Sequence, residues 1–215
     1  MHKLRVLVLD FDGVILESNA VKTEAFRDVF ARFPEHFEAM MAYHRTHVSV
    51  TRYAKFDQLL ERLGRPGDMA LRAEIAAEFS RRTLERMASV PFVPGAEAFL
   101  LEITVRLPVY LASVTPIEDL DVVLDRRGLR RWFRDVYGCP PWTKADAVRD
   151  VLRREGCSPH HALLLGDSAG DQRAAAEVGV GFLARDSGLP FDEPSPTAIF
   201  RDLNAAADYL RLRLP

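Results

Sequence analysis

The sequence predicts an α/β fold: a parallel β-sheet covered by helices on both faces and interrupted by an all-helical insert. Three features carry that prediction. Short apolar runs rich in valine and leucine recur along the chain, too continuous for strands with one wet face. Helical patterns lie between them, as parallel strands require. One long interval, residues 17–89, holds helical patterns and almost no strand-like run.

Residues 4–9 (LRVLVL) give the first strand, which stops at Asp10-Phe11-Asp12-Gly13. Helical stretches follow at 20–33, 35–43, 52–63 and 69–88, with apolar residues at three- and four-residue spacing. Gly64-Arg65-Pro66-Gly67 breaks the last two apart. Residues 91–95 (PFVPG) read as the hinge by which the chain returns to the sheet. Further strands are predicted at 109–112, 162–165 and 180–184, a loop at 190–196 and a closing helix at 205–212. The expected division is a sheet core of residues 1–16 and 90–215 and a helical domain of residues 17–89. In such sheets ligands sit beyond the carboxyl ends of the strands, where the strand order switches.

Composition narrows the partners. The 215 residues are 48% hydrophobic and 28% charged with a formal net charge of -2, an ordinary globular balance with no global drive toward nucleic acid or anionic membrane. An anionic ligand must then be held by local cations, a metal or backbone N–H groups. Cys139 and Cys157 are too few for a disulfide framework and read as reduced thiols. The opening apolar run is too short for a secretory segment, and no 18-residue apolar stretch is present. A cytoplasmic protein is therefore expected, its oligomeric state left open between monomer and dimer.

The polar residues at the strand ends suggest chemistry. Asp10 and Asp12 lie two apart and face one side if the chain is extended. Asp10 can act as a nucleophile on phosphorus, and Asp12 as the acid and then the base for the leaving oxygen and the attacking water. Gly13 permits the turn after them and is an expected substrate-binding residue. A solvated acidic turn is the plain alternative. Ser113, with the N–H of Val114, can hold phosphate oxygens, or can merely cap a helix. Lys144 opens a helical pattern, where a cation is mildly misplaced against the helix dipole, and can neutralise a transferring phosphoryl group. Asp167 and Asp171 are four apart at another strand end and can supply hard oxygen ligands for Mg2+ together with Asp10, or Asp171 can serve as a helix cap. In this order the four segments make up a kit for phosphoryl transfer.

Asp10-Phe11-Asp12-Gly13-Val14, Ser113, Lys144 and Gly166-Asp167-Ser168-Ala169-Gly170-Asp171 resemble the four motifs of the haloacid dehalogenase-like hydrolase superfamily, in order and over essentially the whole chain. The resemblance implies a Rossmann-like core with a helical cap inserted after the first motif. It implies Asp10 as nucleophile, Asp12 as acid/base, and Ser113 and Lys144 as phosphoryl ligands. It implies Mg2+ held by Asp10, the backbone carbonyl of Asp12 and Asp167, with Asp171 in support. Val14 and Ile15 stand where Thr and Leu are commoner, and Lys144-Ala145-Asp146-Ala147 lacks the Lys-Pro-X-Pro-Asp pattern of the sugar-phosphate mutase branch. Residues 43–56 resemble a cap pattern of phosphatase-like members, with His47-Val48-Ser49 where Asn-Gly-Gly often stands.

The leading expectation is a Mg2+-dependent phosphatase acting on a small phosphorylated metabolite. A phosphosugar mutase and a catalytically silent phosphometabolite-binding module are the alternatives; Asp12 argues against a dehalogenase. In the cap, Arg52 and His47 are the expected substrate contacts, while Lys55 and His44 read as a solvated helix face. A phosphonate hydrolase would need a desolvated cap lysine for a Schiff base; neither Lys22 nor Lys55 shows such a setting in the sequence.

Overall fold

The computed structural model describes residues 3–214, which form two compact units: residues 3–17 with 91–214, and Ser18–Val90.

The first unit is built on a six-stranded, wholly parallel sheet. Its strands are β1 (Val6–Leu9), β2 (Val109–Ser113), β3 (Val136–Gly138), β4 (Ala162–Gly166), β5 (Gly181–Arg185) and β6 (Ala198–Phe200), in the spatial order β3-β2-β1-β4-β5-β6. Alternate residues of β1 point to opposite faces, and all four are buried, which is why the run is continuously apolar. On one face Val6 and Val8 share a core with Val148 and Val151 of helix α7 (Lys144–Glu155) and Ala174 and Ala175 of α8 (Ala169–Val178). Helices α5 (Ala96–Thr104), α6 (Ile117–Arg126) and α9 (Leu203–Arg211) complete this unit. From β1 the chain winds outward through β2 and β3, then crosses to β4 on the other side of β1. The strand order therefore switches between β1 and β4, the place where such sheets bind ligands.

The chain leaves and re-enters this unit through one paired strip. Leu16 bridges Phe92 in antiparallel sense, Glu17 N–H donates to the Pro91 carbonyl at 3.0 Å, and Val93 N–H donates to the Ile15 carbonyl at 3.0 Å. The stretch read as a hinge is a short pairing that ties the two passages together.

The second unit consists of α1 (Asn19–Phe30), α2 (Phe37–Thr46), α3 (Arg52–Arg62) and α4 (Met69–Met87). Thr51 and Asp68 cap α3 and α4 by accepting from the N–H groups of Ala54 and Leu71, bonds typically worth about 1 kcal/mol each. Its core is aromatic: the Phe26 and Phe79 rings lie 4.4 Å apart and Phe56 and Phe79 5.8 Å apart. The sequence missed β3 and β6, each only three residues long, too short to show as a run. Among the described residues no helix is long and apolar enough to cross a membrane.

Candidate active site

Four strand ends meet at the carboxyl edge of the sheet. Leu9 is in register with Leu111 of β2 and Leu165 of β4, so the residues that follow these strands emerge side by side. Asp10 continues the ladder, its N–H donating to the Leu165 carbonyl at 2.9 Å. The chain then folds back: Ile15 N–H donates to Phe11 and Gly13 N–H to Leu16, at 2.9 and 2.8 Å. This turn needs φ = +72° at Gly13, a conformation that side chains resist. The Gly13 N–H is thus engaged within its own loop. Asp10 and Asp12 are both buried rather than solvated, which excludes the acidic-turn alternative.

Asp12 is held by two hydroxyls. Thr115 Oγ1 donates to its Oδ2 at 3.2 Å, and Ser113 Oγ donates to the same oxygen over a longer 3.5 Å. Ser113 Oγ in turn accepts from the Thr115 N–H at 3.1 Å. The sequence reading passed over Thr115. The signal was its position, two residues beyond Ser113, so that an extended chain puts both hydroxyls on one side. Ser113 is not a helix cap, because α6 begins only at Ile117, after Pro116. Val114 lies between them, half-buried.

Lys144 is the first residue of α7, whose start is fixed by Thr143 Oγ1 accepting from the Asp146 N–H at 3.1 Å. Its Nζ sits 2.8 Å from Asp10 Oδ1 and makes a close ion pair with Asp171 Oδ1. The contact with Asp10 is ionic rather than a well-angled hydrogen bond, and Asp10 Oδ1 has no hydrogen-bond partner. Asp171 also does the capping work that was its plain alternative: its Oδ2 accepts from Ser168 N–H at 3.2 Å and from Ser168 Oγ at 2.6 Å. Gly166 makes room for it. A Cβ there would lie 2.4 Å from Asp171 Cγ, a distance no side chain survives. Asp167, at the end of β4, is buried as well.

Burial pushes the Asp10 carboxyl well above the usual carboxylate range; Lys144 opposes this, while Asp171, Asp167 and Asp12 add to it. Burial alone would lower Lys144, but Asp10 and Asp171 outweigh it and hold the ammonium firmly protonated. Lys144 pairs with two of these carboxylates, and the mutual repulsion of four gathered carboxyl groups favours a further cation. One oxygen each from Asp10, Asp167 and Asp171 lies within 4.8 Å of the other two, and all three residues are buried. This compact, hard, anionic donor set fits a divalent cation of the Mg2+ type.

A family model, the haloacid dehalogenase-like hydrolase, matches residues 4–179. The chain belongs to this hydrolase family. A phosphoglycolate phosphatase from Synechococcus elongatus is 27% identical over 110 residues, 50% of this chain and 52% of the relative, so the chain spans about half the length of the curated relative it matches. In structure, the predicted phosphoglycolate phosphatase of Haemophilus somnus 129pt is similar with a TM-score of 0.77 at 15% identity, covering 99% of both chains. The HAD-hydrolase YfnB of Bacillus subtilis, solved bound to magnesium, is similar at 0.69 and 19% identity, covering 97% of this chain and 99% of that one. At such identities the likeness shows the shared fold.

The polar cluster of the helical unit corrects the sequence reading. His44, Arg52 and Lys55 are buried, Lys55 to 1% exposure, not a solvated face. Arg52 donates to Ser80 Oγ at 2.7 Å and lies over the Phe79 ring at 4.6 Å. Thr23 Oγ1 donates to the Asn19 carbonyl at 3.1 Å, so it accepts from His44 Nε2, also at 3.1 Å. That leaves His44 Nδ1 as acceptor for Lys55 Nζ at 3.1 Å. Burial, with smaller contributions from nearby cations, pulls Lys55 down to about 7 and His44 down to about 4. Lys55 is therefore the desolvated lysine that the sequence did not reveal. His47 is exposed, stacked on Tyr43 with ring centroids 4.0 Å apart and Nδ1 3.0 Å from the Tyr43 carbonyl.

Proposed function

We propose that this protein is a Mg2+-dependent phosphatase that hydrolyses a small phosphorylated metabolite through an aspartyl-phosphate on Asp10. The supporting observation is the convergence of Asp10, Asp12, Lys144, Asp167 and Asp171 at one sheet edge. In this reading Asp10 attacks phosphorus and the ester oxygen leaves. Asp12 gives that oxygen its proton, then takes a proton from the water that cleaves the acyl phosphate. Ser113 and Thr115 orient Asp12 by the bonds described. Lys144 and the N–H of Val114 stabilise charge on the phosphoryl oxygens. Asp10, the backbone carbonyl of Asp12 and Asp167 hold Mg2+, with Asp171 behind them, and the bound ion supplies the charge neutralisation that phosphoryl transfer depends on.

Turnover of p-nitrophenyl phosphate tests this. Activity should require Mg2+, vanish with EDTA, and fall roughly 10⁴-fold or more in Asp10→Asn with the fold intact. Metal-independent turnover, or an active Asp10→Asn, would sink the reading. Release of inorganic phosphate from a panel headed by 2-phosphoglycolate, the substrate class in the relative's name, separates a phosphatase from a mutase or a silent binder. Arg52 and His47 are the proposed specificity contacts. Arg52→Ala and His47→Ala should weaken kcat/KM for the best panel substrate while sparing p-nitrophenyl phosphate; equal losses on both would remove them from that role.

A further inference from the structure

The amino-terminal edge of the same sheet, opposite the acidic site, gathers cations that the proposed phosphatase reaction does not use. Three adjacent strands have an arginine at or shortly before their start, Arg134 two residues before β3, Arg106 three before β2 and Arg5 directly before β1, and His161 stands before β4. With Lys3 they line an open cavity of about 440 Å³. Neighbouring strands lie ~4.8 Å apart, so the row spans about 14 Å. Backbone bonds fix its spacing: Arg5 N–H donates to the His161 carbonyl and Arg134 N–H to the Val109 carbonyl, both at 2.8 Å.

The positive charge is only partly offset by the carboxylate in the cavity wall. Glu155 is the one carboxylate residue lining the cavity, and its Oε1 already accepts from Arg134 at 2.7 Å and from the Tyr110 hydroxyl at 2.5 Å. Arg5 is aimed by carbonyls instead, donating to Glu155 and Gly156 at 3.2 and 3.3 Å. Arg106 approaches Glu102 only to 4.0 Å, and Glu102 is gripped by Arg211 at 2.7 and 2.6 Å. Scattered surface cations would be unremarked on a soluble protein. These instead converge on a concavity, in a chain whose net charge is -2. We propose that this groove is a second anion site, for a small molecule with adjacent phosphate groups. A row of arginines spaced by the strands suits linked phosphates, and a concave site suits a small ligand better than a polymer.

Titration calorimetry of the full chain with inorganic pyrophosphate, in EDTA to silence turnover, tests the site. Wild type and Asp10→Asn should bind equally well. The double variant Lys3→Glu/Arg106→Glu should bind at least tenfold more weakly while keeping its unfolding midpoint and its turnover of p-nitrophenyl phosphate. No binding to wild type, unchanged affinity in the double variant, or loss of binding in Asp10→Asn would each overturn the proposal. So would tighter binding of a single-stranded RNA oligomer that the double variant loses, which would make the groove part of a nucleic-acid surface. Turnover is read separately, so a failed phosphatase reading and a failed groove remain distinguishable.

Discussion

The two units bury ionisable groups in opposite ways. At the sheet edge, four carboxylates gather around one ammonium, which Asp10 and Asp171 hold protonated, although burial pushes the Asp10 carboxyl toward its neutral form. In the helical unit Lys55 is buried with no carboxylate partner among the described residues, and burial drives it and His44 toward their neutral forms. Strand ends deliver several polar groups to one point, so charge can be balanced by charge. A helix face delivers one side chain among apolar neighbours, and the proton is what gives way. A buried ammonium keeps its proton where the topology supplies carboxylates, as at Lys144, and loses it more readily where it does not, as at Lys55.

The comparison breaks most readily at Lys144. In metal-free buffer Lys144→Ala leaves Asp10 and Asp171 without their shared cation and should cost on the order of 3–5 kcal/mol of stability. Added Mg2+ should restore part of it. Denaturant unfolding with and without the ion measures both, and a variant as stable as wild type would show that the carboxylates do not need Lys144.

Lys55 sharpens the other side. Its folded value is about 7 against an ordinary 10.5, so between these limits the unfolded chain binds more protons and stability rises with pH. His44, about 4 against 6.5, makes stability fall as pH drops through that lower window. Lys55→Met should therefore be more stable than wild type at pH 7, by a margin on the order of a few kcal/mol that shrinks toward pH 10. Parallel stability profiles from pH 6 to 10 would mean that Lys55 is charged in the fold.

The smallest effect concerns Thr115. Thr115→Val removes one donor to a buried carboxylate and should lower kcat about tenfold, equivalent to about 1.4 kcal/mol. Thr115→Ser should recover most of it. If Val and Ser behave alike, the hydroxyl does not orient Asp12.

Much of the acidic site was legible because its residues punctuate apolar runs: Asp10, Ser113 and Asp167 each stand where a buried strand ends. Thr115 was not, because a hydroxyl in a turn has many uses and only the fold aims it at Asp12. Lys55 was legible in position and misread in kind. Residues 52, 55, 56, 59 and 60 follow helical spacing and are all buried, yet a lysine on that stripe was given to solvent. The row of arginines at the opposite edge could not be seen at all, since it depends on the order β3-β2-β1.

The strip joining Leu16 to Phe92 has a consequence for the history of the chain. Viewed from the sheet, residues 18 through 90 occupy the place of a hairpin turn, because the strands on either side are already hydrogen-bonded to each other. Loop closure penalises length only logarithmically, so a longer or shorter set of helices would strain the sheet little. A module attached at so narrow a neck can be rewritten while the chemistry of the sheet unit stays put.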